Sequence, residues 1–136
     1  MNHWMILKSI WNNEKSAGYT FIWFVNGDNE LSSKAKKAIE NGENYLSIAS
    51  VWEIAIKVSL KKLDLYSPFP EIINQISKNN FQLLPISISD ITVLTTIPLH
   101  HRDPFDRIII AQSINNGLQL ISKDKVFDQY GIQLSW

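Results

Sequence analysis

Asp103-Pro104-Phe105-Asp106-Arg107-Ile108-Ile109-Ile110-Ala111-Gln112-Ser113-Ile114-Asn115, followed by the apolar run Leu118-Gln119-Leu120-Ile121-Ser122, is the stretch that decides the fold. Asp103 is suited to cap a helix, because its carboxylate can accept from backbone N–H groups that have no partner in the first turn. Pro104 carries the backbone angle that the first helical position needs, and lacks an N–H where none is wanted. A strong helix over 104–115 therefore feeds a strand over 118–122. That is half of a repeating pattern, and the rest of the chain keeps it.

Upstream, the short apolar run Trp4-Met5-Ile6-Leu7 reads as a strand, and the polar segment after it contains the turn formers Asn12-Asn13 and Gly18. Residues 20–25 predict a short helix stopped at Asn26-Gly27. Residues 32–39 predict a surface helix capped by Ser32 and ended by Asn41-Gly42. A strand over 45–49 leads into Ser50. The apolar spacing of Val51, Ile54, Ala55 and Val58 then predicts a helix over 51–62. Pro68 and Pro70 open a further helix through 76, residues 81–86 read as a strand, 90–96 as a brief helix and 132–134 as a last strand. Strands alternating with helices imply an α/β class, with a parallel sheet covered by helices on both faces.

One domain of 136 residues is expected, long enough for a real core and too short for two. The 45% hydrophobic and 19% charged residues argue against disorder. The formal net charge is zero, so any nucleic-acid site must be a local patch or depend on a metal rather than on an overall basic field. Without cysteine there is no disulfide, zinc-thiolate site or thiol nucleophile. No run of about 18 apolar residues predicts a membrane span. Residues 1–11 lack the cleavage site of a signal peptide, so a cytoplasmic location is expected.

Three carboxylates share one kind of address. Glu53 falls at the start of the helix after the 45–49 strand, Asp106 in the first turn of the 104–115 helix, and Asp124 directly after the 118–122 strand. In an open parallel sheet, such positions converge outside the carboxyl ends of the strands. Each also has a local explanation. Ser50-Val51-Trp52-Glu53 reads as a capping box, Asp106 sits where a box acid belongs after Asp103, and Asp124 can cap the turn at Lys125. Taken together, clustered carboxylates repel unless a cation neutralises them, and an all-oxygen set suits Mg²⁺ or Mn²⁺. The chemistry this predicts is metal-assisted hydrolysis of a phosphodiester.

Three segments, Ser50-Val51-Trp52-Glu53-Ile54-Ala55-Ile56-Lys57, His100-His101-Arg102-Asp103-Pro104-Phe105-Asp106-Arg107 and Ser122-Lys123-Asp124, resemble the PIN-domain proteins of the VapC toxin group. Thr20-Phe21-Ile22-Trp23-Phe24 and Leu31-Ser32 extend the resemblance, which runs from about residue 20 to the end of the chain. It implies a three-layer α/β/α sandwich around a parallel sheet, and an acidic Mg²⁺ site that cleaves RNA. It further implies a cognate antitoxin as partner and a homodimer. By position, Glu53, Asp106 and Asp124 match three of the family's four acids. Asp103 is a weaker candidate metal-site residue.

The fourth acid is where the chain departs from that pattern. Family members end strand one with an aspartate in a sequence like Leu-Asp-Thr-His, immediately before the Thr-Phe-Ile-Trp-Phe type of run. Here residues 8–19 intervene, contain no aspartate, and offer only Glu14. The loss predicts weaker metal binding and impaired catalysis. The alternative is a non-catalytic, degenerate PIN domain that binds an antitoxin or RNA. A receiver-like signalling domain would need a pair of acids after strand one, which is absent.

Arg102, Arg107 and Lys57 are the candidate RNA contacts. Lys34, Lys36, Lys37, Lys61 and Lys62 read either as part of a patch or as solvated helix faces. His100 and His101 read as loop residues rather than metal ligands. Trp23, Trp52 and Trp136 read as core or interface anchors.

Overall fold

The computed structural model describes residues 3–6, 32–62, 68–100, 102–122, 125–132 and 134–135. The expectations placed on residues 7–31, His101, Asp124 and Trp136 lie outside the described residues.

Five strands form one sheet in the order β3-β2-β1-β4-β5, comprising β1 (His3–Ile6), β2 (Glu43–Ser47), β3 (Phe81–Leu84), β4 (Gln119–Ile121) and β5 (Leu134–Ser135). Every pairing is parallel. The four residues of β1 hold the centre, with Ile6 level with Leu46 on one side and Ile121 on the other. The chain leaves β1 in one direction through β2 and β3, then returns to its other side with β4. The β1–β4 boundary is thus a topological switch point, where open α/β sheets place their ligand sites.

The sheet divides two cores because strand side chains alternate between faces. Leu46 and Ile121, at one level of the sheet, join Ala35, Ile39, Ile72, Ile76 and Phe81 in the first core. Leu120, one residue before Ile121, joins Phe105, Ile109, Ile110, Phe127 and Ile132 in the second. Helices α1 (Ser33–Asn41) and α3 (Glu71–Lys78) cover the first face, and α5 (Pro104–Asn116) lies on the second. Helix α2 (Ile48–Ser59) contributes Ile54 to one core and Ala49 to the other. The layered sandwich expected from the sequence is the one found.

Local chemistry accounts for most boundaries. Ser32 caps α1 by accepting from the Ala35 N–H at 3.0 Å, Ala35 and Ile39 bury one face, and Lys34, Lys36 and Lys37 stay in water. Helix α5 starts at Pro104 with Asp103 Oδ1 accepting from Phe105 at 2.8 Å and Asp106 at 3.2 Å. It ends at Gly117, whose φ of 64° is left-handed, with Leu118 N–H bonded back to the Ser113 carbonyl. Between these ends, Ile108 to Ser113 are buried without a break, so the middle of α5 has no solvent face.

Several boundaries differ from those expected: β3 ends at Leu84 and not at 86, α3 covers Glu71–Lys78 and not 68–76, and the helix expected over 90–96 covers Ile88–Leu94. The shift that matters most is at α2. The predicted strand over 45–49 stops at Ser47, and Ser47, not Ser50, caps α2 by accepting from Ala49 N–H at 3.1 Å. The last residue pair between β2 and β3 is Ser47 with Leu84. Pro85 follows Leu84 and has no N–H to extend the ladder, so β2 ends two residues earlier than expected and the helix begins three residues earlier. Ser50 lies inside α2 and Glu53 lies in its second turn, so the Ser50–Glu53 capping box does not form.

A capping box does form at Ser87 and Asp90, which starts helix α4 (Ile88–Leu94). Asp90 is buried, accepts from Ser87 N–H at 2.9 Å, and receives the Asn115 and Asn116 amides of α5 at 2.8 and 3.3 Å. Burial pushes its carboxyl up, but the Ser87 and asparagine hydrogen bonds outweigh burial and hold it below the ordinary 3.8. Asp90 therefore contributes stability that is full above the ordinary value and is lost as pH falls through the lower folded value. The stability gap between wild type and Asp90→Asn, measured by urea denaturation, is expected to narrow from about pH 5 to about pH 2. A gap that is constant over this range would show that the charge of Asp90 is not what joins α4 to α5.

Candidate active site

Ser47 and Ser122 stand one residue beyond the register partners of Ile6, at the carboxyl edge of the sheet, and both are buried. Ser47 also donates to Gln112 Oε1 at 2.6 Å, and Gln112 Nε2 donates to the Pro85 carbonyl at 3.2 Å. A single buried amide of α5 therefore ties the ends of β2 and β3 to that helix. Its sequence gave no warning of this: Gln112 sits among isoleucines in a helix where only tertiary contact distinguishes a buried glutamine from a surface one.

Above this edge, α2 meets the start of α5. The rings of Trp52 and Phe105 pack edge to face with centroids 4.9 Å apart. The residues that follow them, Glu53 and Asp106, are 2% and 0% exposed. Two carboxylates distant in sequence are thus buried where two helices join, and the first turn of α5 favours the negative charge of Asp106. Asp103 is half-buried at the same helix start, with Oδ1 committed to the cap. Asp124, the third predicted acid, lies outside the described residues. Among the described residues, no group of three or more histidine, cysteine, aspartate or glutamate side chains is placed to hold a metal ion.

The candidate RNA contacts surround this junction unevenly. Arg102 is exposed directly before the cap. Arg107 donates from Nη1 to the Pro98 carbonyl at 3.0 Å, so part of its guanidinium holds the preceding loop. Lys57 is half-buried one turn beyond Glu53, whereas Lys61 and Lys62 are exposed at the end of α2. His100 belongs to the loop as expected: its backbone N–H donates to Tyr130 Oη at 3.1 Å and its ring packs edge-on against that tyrosine. Trp52 is not a core residue. It is 59% exposed, and its ring packs against Phe105 at the rim of the junction.

The donors at the junction are oxygens. Besides Glu53 and Asp106, the buried Ser50 hydroxyl lies one turn before Glu53, and the buried polar residues among those described include no lysine, arginine or histidine. That set fits a hard cation such as Mg²⁺ or Mn²⁺, and not a soft one.

No curated protein sequence matches the chain. Among solved structures, it is similar to the crystal structure of VapBC2 from Rickettsia felis bound to a DNA fragment from their promoter. The TM-score is 0.63 over 98% of this chain and 97% of that one, at 10% identity, a likeness of fold. No helix among the described residues is long and apolar enough to cross a membrane. The profile of the PIN domain family matches residues 20–133, most of the chain, and begins only after β1 and the aspartate-free segment. With the parallel sheet and its order in place, the chain belongs to the PIN domain family.

Proposed function

We propose that this chain is a toxin-type PIN endoribonuclease that uses Mg²⁺ or Mn²⁺ and whose activity is impaired by the missing strand-one aspartate. The observation that carries the reading is the burial of both Glu53 and Asp106, each the neighbour of a ring in the Trp52–Phe105 contact that joins α2 to α5. Glu53 and Asp106 would hold the cation, with Asp124 as the third carboxylate and Asp103 as a neighbour. When bound, such a cation activates a water and stabilises the charge that develops on a phosphodiester. Arg102, the free part of Arg107, and Lys57 would orient the RNA backbone.

The likeness to a VapBC2 complex supports a small antitoxin as the regulatory partner, and the resemblance to the VapC group supports a homodimer. The absence of aspartate from residues 8–19 favours a second reading, a degenerate PIN domain that keeps its antitoxin or RNA surface without catalysis.

Metal binding separates the acidic-site reading from a purely structural role for these carboxylates. A ligand that binds only the native state stabilises it, by about 1.4 kcal/mol at tenfold excess over Kd. Mn²⁺ is therefore expected to raise the Tm of the wild type by a few degrees, roughly 3–6 °C. Glu53→Gln and Asp106→Asn are expected to abolish that rise. Variants that respond to Mn²⁺ as the wild type does would remove the basis for the ribonuclease reading.

A further inference from the structure

We infer that Ser50 is a positioning residue of the acidic site, its hydroxyl accepting a hydrogen bond from water carried by the cation. The inference rests on the metal reading given above and names a residue beyond its acids. Ser50 is 1% exposed, and its Oγ has no hydrogen-bond partner. A buried hydroxyl left unpaired is costly, and native interiors rarely tolerate one without a functional reason. Serine inside a helix is ordinarily satisfied by the carbonyl four residues back, which here would be Leu46, but that bond is not made. Other buried serines are bonded: Ser47 to Gln112, and Ser113 to the Leu118 carbonyl.

The position of this hydroxyl gives its role. Ser50 and Glu53 are three apart on α2, so their side chains lie on one face, and both are buried. Trp52 points the neighbouring face outward, at the rim of the junction with α5. Mg²⁺ and Mn²⁺ sites keep several waters, and those waters need acceptors on the protein side. A serine oxygen one turn from Glu53 supplies one without adding charge.

The test uses two nearly isosteric variants that differ in the hydroxyl alone, Ser50→Thr and Ser50→Val, with Ser50→Ala in case the branched side chains do not fit. Mn²⁺ affinity is read from the free-ion EPR signal and from the Tm. Loss of a residue that supports a metal site only through its water is expected to weaken Mn²⁺ binding about tenfold in the valine and alanine variants, and about twofold or less in the threonine one. In metal-free protein the valine variant is expected to melt at or above the threonine variant, because it lacks the unpaired hydroxyl. Equal Mn²⁺ affinity across the variants, with the Glu53→Gln variant still failing to bind, would overturn the role of Ser50 alone. A metal-free valine variant that melts well below the threonine variant would show a structural hydroxyl and overturn it too. If the wild type shows no Glu53-dependent Mn²⁺ response at all, the Ser50 role and the metal reading fall together.

Discussion

Replacing residues 8–19 with a short Leu-Asp-Thr-His linker is expected to raise Mg²⁺-dependent RNA cleavage by about a hundredfold or more, since misplacing reacting groups by about an ångström costs roughly that much. The linker would join β1 directly to the Thr20-Phe21-Ile22-Trp23-Phe24 run. It would put a carboxylate shortly after the central strand, whose last described residue, Ile6, pairs with the residues before Ser47 and Ser122. A further anionic ligand should also tighten Mn²⁺ binding, because each added carboxylate offsets more of the cation's charge. The same linker with alanine in place of its aspartate repairs the backbone but not the chemistry, and is expected to cleave no better than the unaltered chain. The assay is cleavage of a mixed RNA substrate with EDTA as the control. Robust EDTA-sensitive cleavage by the unaltered protein, lost on Glu14→Gln, would mean that Glu14 has replaced the missing acid. A repaired protein that stays inert would favour the binding-domain reading instead.

Phe105→Ala is expected to cost about 3–5 kcal/mol, the usual loss on emptying a phenylalanine site in a core. For a chain of this length that corresponds to a Tm about 10–20 °C lower. Phe105 is 8% exposed, belongs to the second core and is the partner of Trp52 across the α2–α5 junction. Its removal therefore loosens the ring contact between the helices that carry Glu53 and Asp106, and the Mn²⁺-induced rise in Tm should disappear with it. Trp52→Ala is the contrasting variant. With the indole 59% exposed, its loss should cost little beyond the edge-to-face contact, about 0.5–1.5 kcal/mol. Urea denaturation of both variants checks the asymmetry; equal losses would show that the exposed indole anchors the junction as firmly as the buried phenyl ring.

The helices that begin at Ser32 and Asp103-Pro104 were legible because capping is local: a side chain bonds a backbone N–H two or three residues away, and no tertiary contact is needed to foresee it. The alternation of strands and helices, and hence the parallel sheet, followed from apolar spacing in the same way. Glu53 and Asp106 could be singled out as candidates from their places near predicted helix starts, and the absence of an aspartate could be read from residues 8–19 alone. The tertiary structure decided the rest. Ser47 and Ser50 are equally good caps by composition, and the choice fell to the pairing of Ser47 with Leu84 and to Pro85, which ends the ladder from another strand. The same pairing pushed Glu53 into the second turn and buried Ser50 without a partner. For Trp52 the choice between core and interface, and for Gln112 its burial, stayed open because exposure depends on what packs from elsewhere: an indole at the rim stays in water, while an amide among isoleucines finds Ser47 and Pro85. The central place of β1 is nonlocal in the same sense. Four residues carry no signal of strand order, which is set by the crossovers that bring β2 to one side of them and β4 to the other.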